Sequence, residues 1–410
     1  MIPESDRCFR KMCCCINVLF FSDPVQVRYQ AQAVPEKEKP RATFQSAMKV
    51  TLTVGQCFGL NPVQGIYEND VSKLRFKFIS WRCLYSYISM LGQFTMAFVL
   101  FISLFESVFF LISATLLFYS FGFLTSTLFF RIAMKWPRLC ALIAKVESVD
   151  PNTDIKLARK FNIACIVVLS LAFLEHGLSE LTGISVALDC DPDSPLYEGF
   201  MKHSFSWLYL YLPYNDFIGI LSHFFNLQCT FNWNFTDVFV ICMSMYLTSR
   251  LNQVNQRIIA AKDKNSPSSF WRSMREDYNR SVHLVRQVDK IIGGVVFISF
   301  ASNLFFVCSQ LLHTLALPAC RVTEAKAFCH TGHSVYFVYS FAFLVLRSLA
   351  VSLTAAKVHA ASLEPAHSLY DVSSTNYCVE VRVNYHLTKG TMDRLMNILR
   401  TRLWISNAEC

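Results

Sequence analysis

The chain has 410 residues, of which 53% are hydrophobic and only 16% charged, with 37 phenylalanines and a formal net charge of +9. A soluble domain of this length carries about a quarter charged residues, so a water-soluble globular protein is excluded. The positive excess does not point to nucleic acid, because it sits in segments beside apolar stretches, where it orients a membrane protein and meets anionic lipid.

Residues 1–80 read as a cytoplasmic N-terminal arm. The Pro/charge cluster Val34–Arg41 marks a flexible segment, and the glycines and proline of Gly55–Gly65 punctuate an amphipathic stretch at the inner membrane face. The run Ile16–Phe21 is too short for a span and lacks a small-residue cleavage site, so the first span has to insert the chain itself.

A helix needs about 20 mostly apolar residues to cross a bilayer. Six stretches qualify: Trp81–Phe105, Val108–Phe130, Phe161–Leu181, Thr230–Ser249, Ile291–Ala316 and Val335–Ala356. Only Glu106 and Ser107 separate the first two, which implies a tight hairpin. The predicted fold is therefore all-α, a polytopic helix bundle over residues 81–356, followed by a cytoplasmic tail over 357–410.

Lys and Arg set the orientation. There are 11 before Trp81, seven in Arg131–Lys160 and eight in Leu251–Lys290, against one in Thr182–Trp207 and two in Leu317–Ser334. The N-terminus is thus placed in the cytoplasm. The same rule makes the fairly apolar Leu208–Gln228 an outer extension or re-entrant helix feeding the fourth span, since a further span would turn the basic 251–290 loop outward. That loop carries Phe270, Met274, Tyr278, Leu284 and Val288 at helical spacing, so it reads as a helix running unbroken into the fifth span and packing below the membrane.

Cysteines number 16, too many and too scattered for a disulfide framework in a chain of this length. Cys190, Cys320 and Cys329 fall in expected outer loops, where a disulfide is one option. Cys13, Cys14 and Cys15 are ordinary thiols or acylation sites.

Ionisable groups inside spans cost about 2.5–3.5 kcal/mol each at mid-membrane, so they face a cavity or a partner. The third span holds Glu175, His176 and Glu180. The fourth opens with Asn232, Trp233, Asn234 and Asp237. The fifth holds Asn303, Gln310 and His313, and the sixth Tyr336, Tyr339 and Arg347. Most lie in the outer half. One reading is a polar, aromatic-lined cavity suited to a sugar, whose hydroxyls need paired donors and acceptors and whose C–H faces stack on aromatic rings. The other is a set of interhelical locks, with Arg347 paired to Asp237 or a carbonyl and His176 bonded to Glu175 or a neighbouring helix. No metal spacing, phosphate loop or nucleophile elbow is evident, so no cofactor, metal or enzymatic activity is expected.

Seven stretches in order carry a resemblance: Gly55–Ile66, Leu74–Ser86, Leu174–Ser179, Thr230–Asp237, Phe270–Asn279, Val288–Asn303 and Val338–Ser352. In these the chain resembles the insect gustatory receptors, closest to their sugar-receptor branch. The resemblance implies a seven-helix subunit with a cytoplasmic N-terminus, four of which, alike or mixed, surround a sugar-gated cation pore in the dendrite membrane of sensory neurons. It implies sugar contacts from Glu175, His176, Trp233, Asn234, Asp237, Tyr339 and Arg347. The family's seventh helix, which lines the pore, has no counterpart in Thr391–Trp404, where Asp393, Arg394, Arg400 and Arg402 forbid a lipid-facing span. Six of seven spans are therefore expected, through truncation or alternative splicing, which leaves a non-conducting subunit open. The alternatives are a G-protein-coupled chemoreceptor, disfavoured by the inside N-terminus, and a sugar transporter, disfavoured by the lack of an internal repeat.

Overall fold

A computed structural model describes residues 43–370 apart from 69, 106–113, 151–153, 191–192, 262–263, 265 and 317–326. The hairpin at Glu106–Ser107, the cluster Val34–Arg41, Cys13–Cys15, the side chains of Cys190, Cys320 and Cys329, and the segment expected to lack a seventh span all lie outside the described residues.

Nine α-helices are described: α1 Phe44–Cys57, α2 Trp81–Phe105, α3 Ala114–Val149, α4 Leu157–Cys190, α5 Leu196–Ser204, α6 Ser206–Tyr209, α7 Asp216–Ala261, α8 Ser268–Ala316 and α9 Ala327–Tyr370. The only strands among the described residues, Val63–Gln64 and Arg75–Phe76, form a short antiparallel hairpin between α1 and α2. The chain is thus an all-α bundle.

The first helix starts earlier than the composition shift at Gly55 indicates. Thr43 caps it, its hydroxyl accepting from the Ser46 amide at 3.2 Å. Phe44, Ala47, Met48 and Leu52 on one face are buried in the main core. The Phe44 ring lies 4.6 Å from that of Tyr246 and 6.0 Å from that of Trp136. Residues 44–57 therefore form a helix tucked under the bundle.

The basic segment 131–160 is another difference. The α3 helix runs through Pro137 to Val149. A proline inside a helix removes one backbone bond and crowds the preceding turn. Burial of Trp136 against Phe44 and Phe239 supplies the offsetting packing.

Among the described residues, five helices are long and apolar enough to cross a membrane, within Trp81–Ser103, Ala114–Val149, Leu157–Asp189, Ser268–Leu312 and Ser334–Pro365. The fourth expected span lies in α7, which is not apolar enough to qualify by composition. The reason is its position. It packs against α1, α2, α3, α4, α8 and α9, and every residue from Asn234 to Ser244 is buried. A helix enclosed all round by protein has no lipid-facing stripe to keep apolar. Close approach to it depends on absent side chains: a Cβ on Gly92 of α2 would meet the Phe225 ring at 2.0 Å, and one on Gly122 of α3 would meet Cys229 Sγ at 2.6 Å. The stretch read as an outer extension feeding this helix is continuous with it from Asp216 onward.

The segment 251–290 is not one helix: residues up to Ala261 belong to α7, and α8 starts at Ser268 and runs unbroken through the fifth expected span, so α7 and α8 form a helical hairpin. Val254, Ile258 and Ala261 pack on Trp271, Met274, Tyr278 and Val282. Asp150 pairs with Arg250 at 3.7 Å and also with Arg257, which reaches Asp277 at 3.2 Å. The last helix, α9, continues well past Ala356 and through Pro365. Pro365 has no amide to offer the Ala361 carbonyl four residues back. The Asn255 side chain on α7 takes that place, donating to Ala361 O at 2.7 Å and to Glu364 Oε2 at 2.8 Å. Asn255→Ala removes this donor from a buried carbonyl, an expected loss of about 1–3 kcal/mol. A lowered Tm for the purified variant, with Asn255→Asp lower still, checks it.

Candidate functional site

Asp237 on α7 is fully buried, and the structure gathers four further polar side chains around it. Arg347 of α9 approaches through Nε at 2.8 Å from Oδ2, the two side chains being 1% and 0% exposed. From α8, Ser299 donates its hydroxyl to Oδ1 and Asn303 its amide to Oδ2 at 2.9 Å. The guanidinium also donates to Asn234 Oδ1 and, at 3.1 Å, to Asn303 Oδ1. Trp233 Nε1 donates to that same Asn303 oxygen at 3.2 Å. The Trp233 ring lies 4.2 Å from the Arg347 guanidinium carbon, a cation–π contact, and packs on Phe306 at 4.5 Å.

Three helices are thus tied at one level, and the geometry follows from helix periodicity. Trp233, Asn234 and Asp237 lie within four residues on α7. Ser299 and Asn303 are one turn apart on α8, at the i,i+4 spacing that shares a face. Each charge has a counter-charge and further hydrogen bonds, as buried ions require. In this arrangement Arg347 ties Asn234 and Asp237 of α7 to α9, through a hydrogen bond to the first and an ion pair with the second, although its Nε makes no well-aligned hydrogen bond.

The other expected site residues are distributed around this centre. Glu175 of α4 accepts from Ser340 Oγ at 2.7 Å, and Gln310 Nε2 of α8 donates to the same hydroxyl at 3.1 Å. Ser340 is two turns before Arg347 on α9, so Glu175 sits on the same face nearer the start of α9. Tyr339 donates to the Leu171 carbonyl at 3.0 Å and shares no hydrogen bond with the central cluster. His176 belongs to a separate group with Glu180 and His223.

Some polar residues were not singled out by sequence. Gln93 of α2, Ser126 of α3 and Gln228 of α7 join Asn232, which was, in a buried chain. Ser126 donates to Gln93 at 2.8 Å, Gln93 to Gln228 at 3.1 Å and Asn232 to Ser126 at 3.0 Å. Ser299 and Ser340 escaped notice because serine is common in apolar helices. The signal lay in their i,i+4 and i,i+7 spacing to Asn303 and Arg347.

A family model described as trehalose receptor matches residues 26–393. The chain belongs to this family, the sugar-receptor branch of the insect gustatory receptors. Among curated relatives, the gustatory receptor 5a for trehalose of Drosophila melanogaster is 29% identical over 354 residues, 83% of this chain and 75% of that one. The gustatory receptor for sugar taste 64a of the same organism is 27% identical over 366 residues, 85% of this chain and 77% of its own. Among solved structures, the insect olfactory receptor OR5 from Machilis hrabei, in complex with eugenol, superposes with a TM-score of 0.55 at 13% identity, covering 86% of this chain and 90% of that one. This family member is therefore a multi-pass membrane receptor, not an enzyme, and shares the helical fold of an insect olfactory receptor.

Proposed function

We infer that this receptor is a subunit of a sugar-gated cation channel in the dendrite membrane of sensory neurons, with its N-terminus in the cytoplasm and six spans of a seven-helix subunit fold within residues 81–356. The observation that carries the reading is the family match along residues 26–393, which encloses the whole polar core. Its relatives are named for trehalose and for sugar taste, so a disaccharide is the first ligand to try. The likeness to an insect olfactory receptor supports the subunit fold. Four subunits, identical or mixed with other gustatory receptors, would enclose the pore.

Sugar would enter from the outer side. Glu175, His176, Trp233 and Tyr339, which keep partial access, are the proposed contacts. Asn234, Asp237 and Arg347 form the floor beneath them. Sugar shifts the channel toward its open form only by binding that form more tightly.

The test has two independent readouts. Trehalose added to the purified chain in detergent is expected to raise Tm, by mass action on the folded state. Expressed in oocytes with a second gustatory receptor, the chain is expected to contribute to a trehalose-evoked cation current, and expression alone tests whether it is a non-conducting subunit by itself. Sugar uptake without current points instead to a transporter. No Tm response to any of a panel of mono- and disaccharides removes the sugar reading.

A further inference from the structure

Outside the central lock, His176 and Glu180 of α4 and His223 of α7 turn toward one another. One ligand atom from each lies within 4.8 Å of the other two. His176 Nε2 is 3.6 Å and His223 Nδ1 3.7 Å from the two oxygens of Glu180. Both gaps are too long for hydrogen bonds. His223 Nδ1 is nonetheless buried with no hydrogen-bond partner among the described residues. A buried imidazole nitrogen aimed at a carboxylate from beyond hydrogen-bond reach leaves room for something between them. Bonds of about 2.0–2.1 Å in a tetrahedron place neighbouring ligand atoms about 3.4 Å apart, so the three ligand atoms, which lie within 4.8 Å of one another, need only small side-chain shifts to close on an ion.

We propose that His176, Glu180 and His223 form a site for a first-row transition metal of the Zn2+ class at the outer end of α4 and α7. Two imidazoles and one carboxylate are the donor set that suits Zn2+, whereas Ca2+ and Mg2+ favour all-oxygen shells. The i,i+4 spacing puts His176 and Glu180 on one face of α4. His223 arrives from a different helix, so the ion would clamp the two. The side chains are 12%, 24% and 34% exposed for His176, Glu180 and His223. That leaves the fourth position open to water or to an added ligand. Phe200 of α5 meets the His223 ring edge-on at 6.3 Å and helps hold its orientation. The proposal does not rest on the sugar reading, although His176 appears in both.

The test uses the purified full chain in detergent with Co2+ as a spectroscopic probe and Zn2+ as competitor. The expected result is one Co2+ per chain with nitrogen/oxygen-type visible bands, no thiolate charge-transfer absorption, and displacement by Zn2+ but not by millimolar Ca2+. His223→Gln and Glu180→Gln are expected to weaken binding by at least about 100-fold, since losing even an outer-shell partner costs about 10–100-fold. A thiolate-type spectrum, no Co2+ binding, or unchanged affinity in both variants overturns the proposal. The wild-type spectrum decides the donor set even if a variant fails to fold. Trehalose-induced stabilisation that persists with no metal bound separates a failure here from a failure of the sugar reading.

Discussion

Arg347→Met is expected to lower stability by about 3–5 kcal/mol, because it strands the Asp237 carboxylate in the protein interior without its counter-charge. The remaining donors, Ser299 and Asn303, accept part of that burden but bring no net charge. Asp237→Asn is milder: the guanidinium keeps Asn234 and Asn303 as acceptors, and the new amide can turn its oxygen to Arg347 and Asn303 while its NH2 donates to the Ser299 hydroxyl oxygen. Combining the two leaves only neutral groups, so the double variant is expected to recover most of the loss seen with Arg347→Met. Tm and monodisperse yield of the four proteins complete a double-mutant cycle. Additive losses would show that the pair contributes no coupling and would falsify the lock. The cycle also bears on function, since α7, α8 and α9 meet at this level and a sugar bound above it would act on their relative positions.

Trp271→Ala is the second large effect, an expected loss of about 3–5 kcal/mol for emptying a fully buried indole site. The ring is 0% exposed and anchors the cluster that holds the end of α7 and the start of α8 together. Trp271→Phe, which keeps most of the apolar volume, is expected to lose less than half as much. The change lies far along the chain from the outer contacts, so sugar-induced stabilisation of whatever protein remains folded is expected to persist. Hydrogen exchange locates the effect: faster exchange over 250–290 with an unaltered outer half fits this account, and uniform acceleration does not.

Much of the architecture is written in composition. The apolar runs beginning at Trp81, Phe161 and Ile291 fall within helices, because the bilayer allows few other backbone arrangements and a long apolar run has nowhere else to go. The spacing of Phe270, Met274 and Tyr278 records a buried stripe on α8, but it did not show that the residues up to Ala261 belong to the preceding helix. Helix ends were less legible. Trp136-Pro137 looks like a break, yet α3 continues because the indole is buried against two other elements. Pro365 looks like a stop, yet α9 passes through it because Asn255, more than a hundred residues earlier, satisfies the freed carbonyl. Asp237 and Arg347 stood out by type, since charge in a span demands a partner, but their pairing was one of several open readings, the bond from Arg347 to Asn234 was not foreseen, and only the packing of α7 against α9 brings the three together. His223 could not be joined to His176 and Glu180 by spacing, because it arrives from another helix. The sequence determined that this chain is a bundle of membrane helices of a sugar-receptor family with an unusually polar interior. The tertiary structure alone decided which polar groups meet, because contacts between helices depend on three-dimensional register, which local periodicity does not encode.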